Sequence, residues 1–176
     1  MRLLITILGA SLFSASALAG GYMEKKQGDL SNDGLAPTAV KLKPGPNVIA
    51  GKYGSANGVT DRDYFTFKIP DGQTLDSVIL EPETLVGANL SFIGVQTGKK
   101  VTVPPIGGTP NDLLGYTHYG TADEGTDILP AMGTGFGAIG FTPPLGAGTY
   151  TFWVQELAAC KCQYRFTFNV GSPAIR

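Results

Sequence analysis

Short runs of alternating apolar and polar side chains recur along the chain, and most are closed by Gly, Pro, Asn or Asp. Two-residue alternation marks a β-strand with one face on a core, because successive strand side chains point to opposite faces. The pattern predicts strands near 40–42, 47–51, 63–69, 75–80, 89–96, 100–103, 115–119, 138–141, 149–156 and 163–170. The last two are the clearest. Tyr150, Phe152 and Val154 alternate with Thr149, Thr151, Trp153 and Gln155, and Tyr164, Phe166, Phe168 and Val170 alternate with Arg165, Thr167 and Asn169. With only a short connection between them, they read as a hairpin whose single apolar face must pack on another sheet. No stretch carries the 3.6-residue period of an amphipathic helix. The expected fold is all-β, with one sandwich domain over residues 39–171, a polar irregular segment at 20–38 and a C-terminal tail at 172–176. Residues 104–137 read as long and glycine-rich, the kind of connection that is functional or disordered.

The strand at 63–69 carries an unusual start. From Asp61 onward the odd positions read Asp61, Asp63, Phe65, Phe67 and Ile69. If strand geometry reaches back that far, two carboxylates share the core-facing side with three apolar residues. Buried carboxylates are costly unless a cation meets them, and a metal ion is one such cation. Arg62, next in sequence, is an alternative partner.

Composition narrows the class. The 25 glycines and 12 prolines suit many turns, and the β-branched and aromatic residues between them suit strands. Arg2 followed by the apolar run 3–12 and Ala17-Leu18-Ala19 reads as a signal peptide over 1–19, with cleavage before Gly20. The chain is therefore expected to be exported, to the periplasm, the cell surface or the outside, with no transmembrane segment in the mature part. There are 13 basic and 14 acidic residues, which leaves no electrostatic footprint for nucleic acid. Cys160 and Cys162 are compatible with a local disulfide, with free thiols, with an intermolecular link or with part of a soft-metal site.

Two further chemistries have candidates. A hydrolase would draw on His118, the single histidine, or on the pair Asp123 and Glu124 in the 104–137 region, although no Gly-x-Ser-x-Gly elbow is present. Carbohydrate or matrix binding would use exposed rings, with Trp153, Tyr116 and Tyr119 as candidate platforms.

The stretch Asp61-Arg62-Asp63-Tyr64-Phe65-Thr66-Phe67-Lys68-Ile69-Pro70-Asp71-Gly72-Gln73-Thr74-Leu75 resembles the core motif of bacterial pre-peptidase C-terminal domains. Gly148-Thr149-Tyr150-Thr151-Phe152-Trp153-Val154 and Tyr164-Arg165-Phe166-Thr167-Phe168 are similar to that family's closing strands. The likeness covers residues 29–170. It is also similar to stand-alone exported proteins with a PEP-CTERM sorting tail, without that tail. The resemblance implies a jelly-roll-like antiparallel β-sandwich of about 8–10 strands. It also implies a non-catalytic accessory module that binds extracellular polysaccharide or protein. Some family members bind calcium through an N-terminal acidic segment and the Asp-x-Asp pair. The matching ligands here are Asp29, Asn32, Asp33, Asp61 and Asp63.

Overall fold

A computed structural model describes residues 20–87 and 90–172. The signal-peptide stretch 1–19, the start of the predicted strand at 89–96, and 173–176 of the tail lie outside the described residues. The strands are β1 (Gly20–Met23), β2 (Thr38–Ala39), β3 (Gly45–Ala56), β4 (Val59–Ile69), β5 (Leu75–Leu80), β6 (Ser91–Thr97), β7 (Gly115–Tyr119), β8 (Gly148–Gln155) and β9 (Cys162–Val170). Two short helices, α1 (Glu24–Gln27) and α2 (Leu129–Gly133), are set among them.

Hydrogen bonding joins the strands into one curled sheet in the order β5-β9-β3-β4-β8-β6-β7. The curl folds at the β3–β4 hairpin. There Ala56 pairs with Val59, so the loop is Asn57-Gly58, with φ of 54° and 78°. Both values lie in the left-handed region that a two-residue hairpin turn of this hand requires, and Asn-Gly is the pair best suited to it. On one side of the fold lie β1, β3, β9 and β5, and on the other β2, β4, β8, β6 and β7. The architecture is all-β, mostly antiparallel and sandwich-like; β1 on β3 and β2 on β4 are the parallel pairs.

Aromatic rings fill the space between the halves. Phe152 of β8 stands edge-on to Phe168 of β9, with centroids 5.2 Å apart and planes at 88°. Phe65 and Phe67 of β4 meet the same Phe168 at 5.8 and 5.6 Å, and Tyr119 of β7 meets Phe166 at 5.2 Å. Edge-to-face packing at such distances is the favoured arrangement of ring quadrupoles.

The closing strands depart from the expected hairpin. β8 pairs with β4 and β6, and β9 with β3 and β5, so each has both edges taken by other partners. Their apolar faces are turned toward each other across the core. The connection at 156–161 therefore crosses between sheets, and Cys162 at its end is fully buried.

The strand expected at 40–42 falls instead at Thr38–Ala39, and the two expected at 100–103 and 138–141 are absent. Val101 and Val103 are buried in an extended loop, while Thr102 between them is exposed. Their alternation comes from packing on the outer face of β4 and β8, against Tyr64 and Trp153, and not from a ladder. At 138–141 the chain makes irregular bonds instead, with Ile139 and Gly140 donating backbone N–H to the carbonyls of Leu113 and Leu114. The 20–38 segment is more ordered than its polarity suggests. β1 docks on β3, and the Glu24 side chain of α1 accepts backbone N–H bonds from Leu30 (2.9 Å) and Lys52 (2.7 Å).

Candidate functional site

At the β3–β4 end of the sandwich several carboxylates lie near enough to act on one another. Asp63 lies on the inward face of β4 opposite Val154 and is completely buried. Its Oδ2 accepts a 2.6 Å bond from the Tyr164 hydroxyl of β9. Its Oδ1 is buried with no hydrogen-bond partner. Gly51 of β3 makes room for this contact: a Cβ there would stand 2.5 Å from Asp63 Oδ2, 2.8 Å from the Tyr164 oxygen and 3.0 Å from the Glu24 carboxyl carbon. The bare glycine backbone is thus the meeting point of two acids and a tyrosine.

Burial, then the Glu24 charge, push the Asp63 carboxyl well above the usual carboxylate range; the Tyr164 bond opposes this only in part, and Asp61 and Asp29 add to it. Asp61 is raised to about 6 by burial and by Asp29. Glu24 is raised by burial, against its two backbone bonds, with Asp29 and Asp61 adding to the rise. The four acids therefore act on one another with the same sign. A cleft of about 680 Å³ opens beside them, with Glu24, Asp29, Gly51, Lys52 and Tyr164 among its walls. Lys52 also lines an adjoining cavity of about 400 Å³ that reaches Asp61 and both cysteines.

Of the five residues expected to hold calcium, Asp29, Asp61 and Asp63 belong to this mutually repelling group. Asn32 sits at its edge: its amide donates to Asp61 (3.4 Å), and its Oδ1 accepts from the Arg62 backbone N–H (2.8 Å). Asp33 is turned to local use, accepting the Leu35 N–H at 2.8 Å in an Asx turn. Glu24 takes a place that the sequence pattern does not assign, because it precedes the acidic segment and reaches the site only through the β1–β3 pairing. Among the described residues no three Asp, Glu, His or Cys side chains already converge as a ready-made metal cage. The donor chemistry nevertheless suits a hard cation: carboxylate oxygens, one of them buried and unpartnered. Arg62 does not neutralise the aspartates. It leaves on the opposite face of β4, where its Nε donates to Gln155 Oε1 at 3.1 Å.

Deeper in the core the polar end continues. Tyr53 and Ser91 share a 2.6 Å hydroxyl bond, and Tyr119 donates to Tyr53 at 3.3 Å. Ser91 donates to Glu156 Oε2 at 3.2 Å, and the Ala158 N–H meets Glu156 Oε1 at 2.9 Å. Tyr119 is therefore an interior residue, fully buried, and presents no ring to the surface.

The other two candidate rings do share the outer face. Tyr64, Trp153, Gly94 and Tyr116 are neighbours across β4, β8, β6 and β7, and Arg62, Gln155, Phe92 and His118 form the next row. Trp153 stacks on Tyr64 at 5.7 Å and tilts against Phe92 at 4.7 Å, and Phe92 stacks on Tyr116 at 5.6 Å. The loop at 101–110 folds over this row, leaving Trp153 only 4 % exposed. Trp153 is thus covered, not an open platform, while Phe92 and Tyr116 are half-buried and line a cavity with it.

The residues that would serve a hydrolase have other engagements. Asp123 Oδ2 accepts the Gly120 N–H at 2.8 Å, and Glu124 Oε1 accepts those of Thr84 (3.0 Å) and Leu85 (2.8 Å). His118 is exposed beside Phe92, with ring centroids 5.7 Å apart. Cys160 and Cys162 are joined in a disulfide.

In comparisons with known proteins, no family, no curated protein and no solved structure matches the chain.

Proposed function

We propose that this chain is a non-catalytic, exported β-sandwich module that uses calcium to hold its acidic end together and presents its outer aromatic face to extracellular polysaccharide or matrix protein. The observation that carries the calcium reading is the Asp63 carboxylate. It is buried, one oxygen has no partner, and the charges acting on it, from Glu24, Asp61 and Asp29, have its own sign. A desolvated anion in that setting is unfavourable without a counter-charge. Asp63, Asp61, Asp29 and Glu24 would hold the ion, with water completing the 6–8 oxygens that calcium takes. The ion would supply positive charge and tie the N-terminal turn, β3 and β4 together.

The motif likeness to pre-peptidase C-terminal domains supports the same reading, as does the leader-like start for export. The engagement of Asp123 and Glu124 in backbone capping weighs against the hydrolase alternative. Thermal melting across a calcium titration tests the proposal. An ion bound only by the folded state at 100 times its Kd adds about 2.7 kcal/mol to the unfolding free energy. We expect a rising midpoint with calcium, lost in Asp63→Asn. No shift at millimolar calcium overturns the calcium assignment.

A further inference from the structure

The disulfide of Cys160 and Cys162 spans a single residue, Lys161. A bridge over so short a span removes less entropy from the unfolded chain than one that closes a long loop. Its two sulfurs differ in access. Cys162 opens β9 opposite Tyr53 and is fully buried. Cys160 lies in the crossover before it and is only half-buried. Gly54 of β3, at φ of 127°, lies against Cys160: a Cβ there would stand 2.8 Å from the Cys160 sulfur. The bridge therefore rests on bare backbone, with its Cys160 end toward solvent. Exposed disulfides are the ones that exchange with outside thiols.

The cavity of about 400 Å³ described above opens on this bridge, and both cysteines are in its walls. Its size falls within the usual range of small-ligand sites. Three charged residues share the lining: Lys52 of β3, Lys161 between the cysteines, and Asp61 of β4. Lys52 and Lys161 are exposed, and Asp61 is half-buried. Two ammonium groups and one carboxylate beside an accessible disulfide sulfur suit a small thiol that carries both charges.

We infer that the Cys160–Cys162 bridge is a reversible thiol-exchange site for a small amino-acid thiol, cysteine or a short peptide containing it. The ligand carboxylate faces Lys52 and Lys161, and its ammonium group faces Asp61. Its thiolate attacks the Cys160 sulfur, the accessible one of the two. The bond between Cys160 and Cys162 breaks as a bond forms between Cys160 and the ligand sulfur. The electron pair leaves on Cys162, which takes up the proton that the ligand thiol has lost. The ligand sulfur is oxidised and the Cys162 sulfur reduced, so the step needs no other reductant. Attack by Cys162 on the mixed disulfide expels the ligand and restores the bridge.

The native protein, incubated in a cysteine/cystine buffer and quenched with iodoacetamide, tests the attack. Cleavage after Lys161 puts the two sulfurs on separate peptides, so mass spectrometry reads each one. We expect cysteine on Cys160 and the alkyl label on Cys162. The reverse placement, or a bridge left closed at millimolar cysteine, overturns the assignment. The opening rate then tests the ligand, in chelator so that no bound cation occupies Asp61. Lys52→Gln combined with Lys161→Gln should slow opening by cysteine about tenfold more than opening by 2-mercaptoethanol, which bears no charge; about tenfold is the loss of one charged contact. Cysteamine, which lacks the carboxylate, should behave as 2-mercaptoethanol does. Equal slowing of all three thiols overturns the amino-acid ligand. Because each thiol is compared with itself on the native protein, a general loosening of the double variant would slow or speed all three alike and would count against the proposal.

Discussion

Asp63 has two oxygens in different circumstances: one is tied to Tyr164, the other has nothing to meet. An amide in its place keeps an acceptor for the tyrosine and removes the buried charge. Asp63→Asn should therefore melt higher than the native protein in chelator and lower than it in saturating calcium. A variant that melts lower under both conditions contradicts this. The pH dependence has a defined sign. The Asp61 carboxyl is raised to about 6 in the fold, above its unfolded value, and Asp63 and Glu24 are raised as well. The folded state then binds more protons, so stability is lowest above about pH 6 and rises as pH falls through that value toward 4. Calcium-free protein should melt higher at pH 5 than at pH 7.5, and saturating calcium should flatten the difference. A melting temperature lower at pH 5 would count against the carboxylate cluster. Gly51 allows a third check at this scale. Gly51→Ala drives a methyl between Asp63, Tyr164 and Glu24, and overpacking of that kind costs about 1–3 kcal/mol in denaturant unfolding.

Strands explain how much of this was legible in the sequence. Alternation located β5 and β7 at their observed bounds and β8 and β9 within a residue; in β8 and β9 the inner face is almost uniformly apolar or aromatic. It also put Asp63 on the inner face with Phe65 and Phe67, as found. Pairing was not legible. Alternation says which face is buried but not which strand is the neighbour, so two consecutive apolar strands read as a hairpin when they belong to opposite sheets. The same ambiguity made a strand of Val101 and Val103, whose period reflects a loop lying on an aromatic row. The largely polar stretch through 52–62 hid the short β3–β4 hairpin, three pairs long, although Asn57-Gly58 marks its turn. Glu24 was invisible as a site residue, since its approach depends on a long-range parallel pairing that no local pattern encodes. At this scale the ring cluster offers a prediction. Phe152 of β8 is fully buried and meets Phe65, Phe67 and Phe168 at 5.7, 5.2 and 5.2 Å. Phe152→Ala should cost about 3–5 kcal/mol in urea unfolding, and a loss under 1 kcal/mol would mean that the two halves do not depend on this contact.

At the scale of the whole molecule, the two proposed sites lie on opposite faces of β4. Asp61 and Asp63 point inward, while Arg62 and Tyr64 point outward. One strand thus carries the cation end on one side and the aromatic row on the other, and its register fixes both. A one-residue slip would exchange the two sets. The hydrogen bonds of Asn32 to Arg62 and Asp61 and of Tyr64 N–H to the Ser31 carbonyl (2.8 Å) hold the N-terminal segment to that register. The sheet order gives a prediction at the same scale. A chain ending before Cys162 leaves β3 and β5 without their shared neighbour. It should show no cooperative thermal transition by circular dichroism, and a cooperative melt would contradict the dependence.

That order also bears on when the protein can fold. β8 inserts between β4 and β6, and β9 between β3 and β5, so each of these inserted strands comes later in the chain than both of its neighbours. Until residues 148–170 are available, the earlier strands have exposed edges and no partner for their ring-bearing faces. Closure of both sheets therefore waits on residues 148–170.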